Sequence, residues 1–552
     1  MHSYCRDLKK IFGNKVYTAA VLLIALLCYG FAAFNTSVSL DDLEVERYVC
    51  NGGTLLTSGR FATVLWAQLL GYSHDLPLNS TAIDILSVLM LVFSAANFSI
   101  LFRRISAEKI SLGACAVFSC ILISYPLMNE IWEYTGANLN VCVGFLLASF
   151  SLLSVHAFIL SGNKKQWYRL IPSALMMMLV CAGYESLASV YVFMVFAVLA
   201  LQAVYGKTEN KKLRVMILHG LVYAAVLAAG LLLRILVHRG ILLFTGLEAG
   251  TNGATEIRWL LYPVSYIVKY LIADFARHYV LKGIIYLPLT ELVVAGIVFI
   301  VFGILACRKH GWSLLLPGFG MLLSLILLSL VQGVWSPYRT CQVFAVFVAF
   351  TVLIVLTWLQ NAELKRMNWC KPVAFSLAAF LCVYQSLYLN YFLTLNHHRS
   401  EEELHAARSI GVDLEAFNEE EKPVIFVGKY TLSDYIREAA SIPEDSVRWQ
   451  LYKKAYAGTY ALMGETYDVS YLSRKLPMTN INSVIDWSVN NRFKQESMEN
   501  LLNYCGFEYQ KADYDAVYSE AVAYAASKDI PAYPQNGYIC DTGDYIIVNI
   551  GG

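Results

Sequence analysis

Long apolar runs alternate with short polar linkers over the first 395 residues, and then the pattern changes. Runs of about 18 to 24 residues, long enough to cross a bilayer core as helices, lie at 16–34, 81–102, 109–127, 138–160, 214–237, 283–306, 312–332, 341–359 and 372–394. The stretch 170–205 is too long for one span and is broken at Gly183-Tyr184-Glu185-Ser186, so it reads as a hairpin of two short spans, 170–182 and 186–205. The pattern thus predicts about eleven transmembrane helices. Two other segments are not span-like. Arg60–Gly71 is apolar but short, and reads as interfacial. Arg258–His278 mixes Trp259, Tyr262, Tyr266 and Tyr270 with Lys269, Asp274 and Arg277, the pattern of an interfacial helix in an aromatic belt.

Beyond residue 395 the periodicities shorten. Glu401 through Ala416 reads as helix, and Pro423-Val424-Ile425-Phe426-Val427-Gly428 as a buried strand ended by glycine. Helical stretches near 444–456 and 495–504 follow, and Tyr545–Ile550 gives a second strand. The expected fold is a polytopic α-helical membrane domain over 1–394 and a soluble domain of α/β or α+β type over 395–552.

Orientation follows from the linkers. Arg6 through Lys10, Arg103-Arg104, Asn163-Lys164-Lys165, Lys207 through Arg214, Arg308-Lys309-His310 and Glu363 through Lys371 are basic and alternate with less basic loops. The positive-inside rule places them in the cytoplasm. With an odd number of spans, the N-terminus is then inside and the tail outside. The chain reads as a multi-pass cell-membrane protein, and Val16–Phe34 as a retained first helix rather than a cleaved signal.

Composition agrees: 57% of residues are hydrophobic and 15% charged, too apolar for one soluble domain. The net charge of +1 hides a split, with 24 acidic against 14 basic residues from Asn396 onward. An acidic soluble part argues against nucleic acid as a partner. The thirteen cysteines form no CxxC pair and no Cys/His metal spacing. Most lie in apolar spans as small hydrophobes; a Cys505–Cys540 bridge is the one pairing that the outer segments suggest.

Candidate chemistry collects in the outer loops. Directly after the first span comes Ser39-Leu40-Asp41-Asp42-Leu43-Glu44-Val45-Glu46. Acids at the mouth of a bundle are costly unless solvated, paired or used. A sugar-transferring enzyme needs a carboxylate to deprotonate an acceptor hydroxyl or hold a metal; a solvated linker or a helix N-cap would use the same residues. The next loop holds Glu130, Glu133, Trp132 and Tyr134, carboxylates beside aromatic rings, as sugar sites use and as an interface belt also would. Glu185 in the hairpin break calls for a cavity or a partner. Arg339, in Trp335-Ser336-Pro337-Tyr338-Arg339-Thr340, offers a guanidinium fork suited to phosphate, and Arg60 invites the same reading; each is equally placed to snorkel to lipid headgroups. The dispersed histidines suggest no metal cluster, and no GxGxxG or P-loop occurs.

Asp41-Asp42-Leu-Glu-Val-Glu-Arg47, followed by Ser58-Gly59-Arg60-Phe61 and an apolar segment, resembles the bacterial and phage membrane glucosyltransferases that add glucose to O-antigen and related envelope glycans. Gly183-Tyr184-Glu185-Ser186 is similar to that family's Tyr-Gln element, with Glu185 where Gln is expected, and Tyr533-Pro534-Gln535-Asn536-Gly537-Tyr538-Ile539 resembles the closing segment of clostridial-type relatives. The resemblance implies a GT-C-type fold and an enzyme that takes a hexose, glucose in the known members, from a polyprenyl phosphate on the outer face and passes it to an envelope polysaccharide. It makes Asp41 or Asp42 the acceptor base, with Glu44, Arg60, Glu130, Tyr134, Tyr184, Glu185 and Arg339 as substrate-binding candidates. Whether a divalent metal assists is left open, and no metal ligands are assigned. The competing reading is a lipid or glycan transporter (a flippase), which would need a polar path through the spans; a scaffold displaying the tail would explain neither the acidic loop nor Glu185.

Overall fold

The structure, a computed structural model, describes residues 2–35, 37–39, 43, 53–70, 80–206, 213–250, 257–276, 287–333, 337–361, 369–462, 483–485 and 491–551, with single positions at 466, 468, 472 and 474. Asp41, Asp42 and Glu44 lie outside the described residues, as do Trp335 and Ser336.

Among the described residues, nine helices are long and apolar enough to cross a membrane. They include Lys15–Phe34, Thr81–Ile105, Gly136–Ser161, Leu187–Tyr205 and Val343–Asn361. Two of the eleven expected spans take other forms. The first arm of the hairpin, Leu170–Gly183, is only 14 residues long. The run 312–332 is divided into Leu315–Ser324 and Leu327–Gln332. Local chemistry fixes several boundaries. Asn14 caps Lys15–Phe34 by accepting the Tyr17 N–H at 2.9 Å, and Ser111 caps Leu112–Ser124 by accepting that of Ala114 at 3.1 Å. Gly162, at φ 60°, ends Thr135–Ser161 in the left-handed conformation that glycine adopts freely.

The hairpin break is a helix end with a physical cause. Tyr184 turns extended, φ −148° and ψ 102°, and the next helix starts at Leu187. At Gly183 a Cβ would sit 3.4 Å from Asn140 Oδ1 of the neighbouring helix, so the small residue allows the break to pack closely. Arg60–Gly71 becomes a nine-residue helix, Phe61–Leu69, packed against Leu170–Gly183 and Thr135–Ser161. Arg258–His278 is described as far as residue 276; there Tyr262, Tyr266 and Tyr270 stack at 5.8 and 6.3 Å.

The last span does not end where its apolar run ends. One helix runs from Cys370 to Phe417, 48 residues, about 72 Å at the helical rise, and joins the membrane bundle to the tail across residues 394 and 395. The tail holds a three-stranded sheet in the order β1-β3-β2 (β1 Val424–Val427, β2 Ile539–Asp541, β3 Ile546–Asn549). β1 pairs with β3 in parallel, Val424 opposite Ile546, and β2 pairs with β3 antiparallel. Alternate residues face opposite layers. Ile425, Val427 and Ile547 pack with Ala521 and Ala525 of the helix Tyr514–Ser527. Val424, Phe426, Ile546 and Val548 join the core that includes Ile410 and Leu414 of the long helix. Coverage on both faces explains the unbroken apolar runs of these strands. Cys505 and Cys540 are both free, so the suggested bridge is absent.

Candidate active site

The loop after Leu112–Ser124 bends sharply. Pro126–Met128 forms a single 3-10 turn and Asn129–Trp132 a short helix. This brings Glu130 inside, 6% exposed. Trp132 stacks on Tyr29 with ring centres 4.1 Å apart, so the loop sits against the end of the first span. The acidic segment leaves from that same end, beyond Ser39.

Three candidates from distant loops meet here. The Arg339 guanidinium lies 5.8 Å over the Tyr134 ring, a cation–π arrangement. The Tyr184 hydroxyl donates to the Arg339 carbonyl at 3.5 Å. Gln342 locks the turn: its amide donates to the Arg339 carbonyl, and its oxygen accepts from Ser186 Oγ at 2.6 Å. Glu130, Arg60 and Arg339 all lie within electrostatic reach of Tyr184, and Glu130 is within reach of the buried Tyr338 as well. Glu185 takes a different direction. Its carboxylate meets the guanidinium of Arg234, which also donates to the Gly59 carbonyl at 3.4 Å. A cation therefore partners the hairpin acid and ties it to the Ser58-Gly59-Arg60 turn.

The segment leading to the acidic run is clamped from the tail side. Arg399, 1% exposed, donates to Asn396 Oδ1 at 3.0 Å, to Glu403 Oε2 at 2.8 Å and to the Val38 carbonyl at 2.8 Å. Ser400 Oγ accepts the Val38 N–H at 2.8 Å. The other Glu403 oxygen accepts from the backbone of Val484 at 2.6 Å and of Ile485 at 3.4 Å. A second tail element reaches the site from Val447–Leu462, whose Tyr452 and Tyr456 are within electrostatic reach of Tyr338. Trp449, Tyr452, Tyr456 and Tyr460 follow one another along that helix at 5.8, 5.5 and 5.4 Å.

Sequence reasoning missed five charged positions. Asp84 is buried in its span and accepts from the Asn138 amide. Glu291 accepts from Gln385 Nε2 at 2.7 Å, and Gln385 in turn accepts from Ser124 Oγ at 3.0 Å. Arg234 and the Arg399–Glu403 pair complete the set. For Asp84, Arg234 and Glu291 the signal was available: each is an ionisable residue within an apolar run, where such a residue needs a partner. Among the described residues no three His, Cys, Asp or Glu side chains gather as a metal site.

Residues 30–356 match the family described as Glucosyl transferase GtrII. The chain belongs to that family. The matched span contains the acidic segment and every candidate from Arg60 to Arg339, and it stops before the long helix. This GtrII family member is thus a polytopic membrane glycosyltransferase, with a small α/β assembly after its last span. It is similar to the archaeal oligosaccharyltransferase AglB from Archaeoglobus fulgidus, solved with an inhibitory peptide and a dolichol-phosphate, at 12% identity and a TM-score of 0.37, over 89% of this chain and 69% of that one. No curated protein matches it significantly.

Proposed function

We propose that this glycosyltransferase moves a hexose, glucose, from a polyprenyl-phosphate donor to a cell-envelope polysaccharide on the outer face of the membrane. The observation that carries this reading is the convergence of Tyr134, Tyr184 and Arg339, with Glu130 and Arg60 in electrostatic reach, beside the end of the first span. In this reading the N-terminus is cytoplasmic, and residues 395–552 form an extracytoplasmic domain above the membrane domain of 1–394. Arg339 and Arg60 meet the donor phosphate, and Tyr134, Tyr184 and Glu130 line the sugar. Glu44 borders the acceptor side, and Glu185, held by Arg234, sets the floor. Asp41 or Asp42 takes the proton of the acceptor hydroxyl as its oxygen bonds to the anomeric carbon. The bond from that carbon to the phosphate oxygen breaks, and polyprenyl phosphate leaves. Cations beside the departing phosphate are the main electrostatic contribution.

The test is mass spectrometry of envelope glycans from a strain lacking the gene. Those glycans should lack one hexose, restored by the wild-type gene. The Asp41→Asn/Asp42→Asn variant, made to the same level, should not restore it, since losing a general base slows transfer by about 10²–10⁴-fold. An unchanged glycan in the deletion strain would refute the reaction; full restoration by the double variant would refute the base.

A further inference from the structure

At the opposite end of the bundle, far from Arg339 in the chain's topology, a cavity of about 570 Å³ opens among the helices Leu187–Tyr205, Leu287–His310, Leu315–Ser324 and Val343–Asn361. The volume falls in the range of about 300–1,000 Å³ typical of small-molecule sites. Its interior is apolar, lined by Phe302, Met321, Phe350 and Leu353. Leu305 and Trp358, which also line it, are exposed on the outer surface of the bundle, so the cavity opens sideways toward lipid. At its polar end stand two exposed lysines, Lys109 and Lys309. Both belong to the basic linkers that separate spans. Thr357, 2% exposed, also lines the cavity, and its buried Oγ1 has no hydrogen-bond partner. A buried hydroxyl left without a hydrogen bond is costly, and a bound acceptor would offset that cost.

An apolar slot open to the bilayer, a hydroxyl part-way down and two cations at the headgroup level match one kind of molecule. We infer that this cavity binds an anionic phospholipid of the leaflet on the basic side, its phosphate between Lys109 and Lys309, an ester oxygen at Thr357 and one acyl chain along Phe302 and Phe350. Charge complementarity selects the anionic lipid over a zwitterionic one, and the side opening gives its path of entry. This site is separate from the transfer site, and the inference does not depend on the proposed reaction.

Glycine supplies a clean way to close it. Gly303 lines the cavity, and a Cβ built there meets nothing within 4 Å. Gly303→Leu therefore places its side chain in open space, and leucine favours the helix over glycine. The experiment is native mass spectrometry of the full chain in neutral detergent, titrated with dioleoylphosphatidylglycerol or dioleoylphosphatidylcholine. Wild type should bind one phosphatidylglycerol in preference to phosphatidylcholine. Removing both lysine charges, Lys109→Gln/Lys309→Gln, should weaken phosphatidylglycerol binding by about thirtyfold, from the usual attraction of a surface lysine to anionic lipid. Gly303→Leu should abolish the preferred site while the protein stays monodisperse. Equal binding of the two lipids by wild type, or unchanged phosphatidylglycerol binding in both variants, would overturn the assignment and leave only ordinary annular lipid.

Discussion

Arg399 is the point at which a single substitution should do most to separate position from chemistry. Its guanidinium is buried and each of its nitrogens donates, with Asn396, Glu403 and the Val38 carbonyl as acceptors. Arg399→Met keeps the apolar stem and removes the charged head. Glu403, itself 1% exposed, would then keep its two backbone donors from Val484 and Ile485 but lose its cation. Breaking one side of a buried ion pair costs about 3–5 kcal/mol, and the Val38 carbonyl is orphaned as well. Glu403→Gln strands the guanidinium at similar cost while retaining an acceptor for Val484. If the two charges matter through each other, Arg399→Met/Glu403→Gln should cost less than the sum of the singles, by up to about 3 kcal/mol. Equilibrium unfolding in mixed micelles of rising SDS fraction reads the stability. Donor turnover per folded molecule reads the function: a clamp on the approach to Asp41 and Asp42 should lower kcat with little change in KM for the donor. Additive singles, or an Arg399→Met protein within about 1 kcal/mol of wild type, would show that the pair does not hold the segment. Unchanged kcat in a destabilised variant would reduce it to a structural tie.

Other perturbations probe the remaining contacts. Arg339→Ala should weaken transfer strongly and Arg339→Lys recover only part, because lysine keeps the charge without the planar fork; equal rates for Arg and Lys, with Ala lowering yield alone, would remove Arg339 from the site. Arg234→Gln should destabilise the protein by about 1–3 kcal/mol by stranding Glu185, and the exchange Glu185→Arg/Arg234→Glu should recover stability but not transfer if Glu185 also borders the sugar; recovery of both would leave it a structural acid only. For orientation, Glu419→Cys, at an exposed position of the tail, should react with an impermeant maleimide in intact cells when Cys50, Cys505 and Cys540 are replaced by Ser, while Lys165→Cys should not; the reverse pattern would invert every outward assignment.

Much of this fold could be read from periodicity because bilayer and water impose different patterns. The spans, the hairpin break at Tyr184 and the two strands β1 and β3 sit close to their expected places. What could not be read was continuity. A helix that leaves lipid for water changes its side chains but not its hydrogen bonding, so Cys370–Phe417 looked like a span, a gap and a second helix. The strand β2 is three residues long and only partly buried, too little for a pattern. The helix Tyr514–Ser527 buries little besides two alanines, Ala521 and Ala525, so its face gives a weak signal. In the site, loop aromatics and Arg339 were visible as unusual residues in their own segments. Their meeting was not, since Tyr134, Tyr184 and Arg339 are brought together only by how the helices pack. Partners such as Arg234 for Glu185 are invisible for the same reason.

The long helix changes what the tail can do. Because it is unbroken from Cys370 to Phe417, there is no linker at residues 394 and 395 to absorb independent motion of the parts on either side. The clamp then matters mechanically. Arg399 and Ser400 sit on that helix and hold both backbone groups of Val38, while Glu403, one turn on, holds the backbone at Val484. The approach to the acidic segment, the helix and a loop of the tail therefore share one buried polar cluster. Losing any one element leaves charges or backbone groups buried without partners, at a cost far above that of a flexible tether. A tail that served only as an appendage would have no reason to supply Glu403's donors from its own backbone. If Asp41 or Asp42 is the acceptor base as proposed, the tail's attachment beside that segment gives it a part in positioning the acceptor side. Truncation after Phe417 should therefore impair transfer even where the membrane bundle still folds.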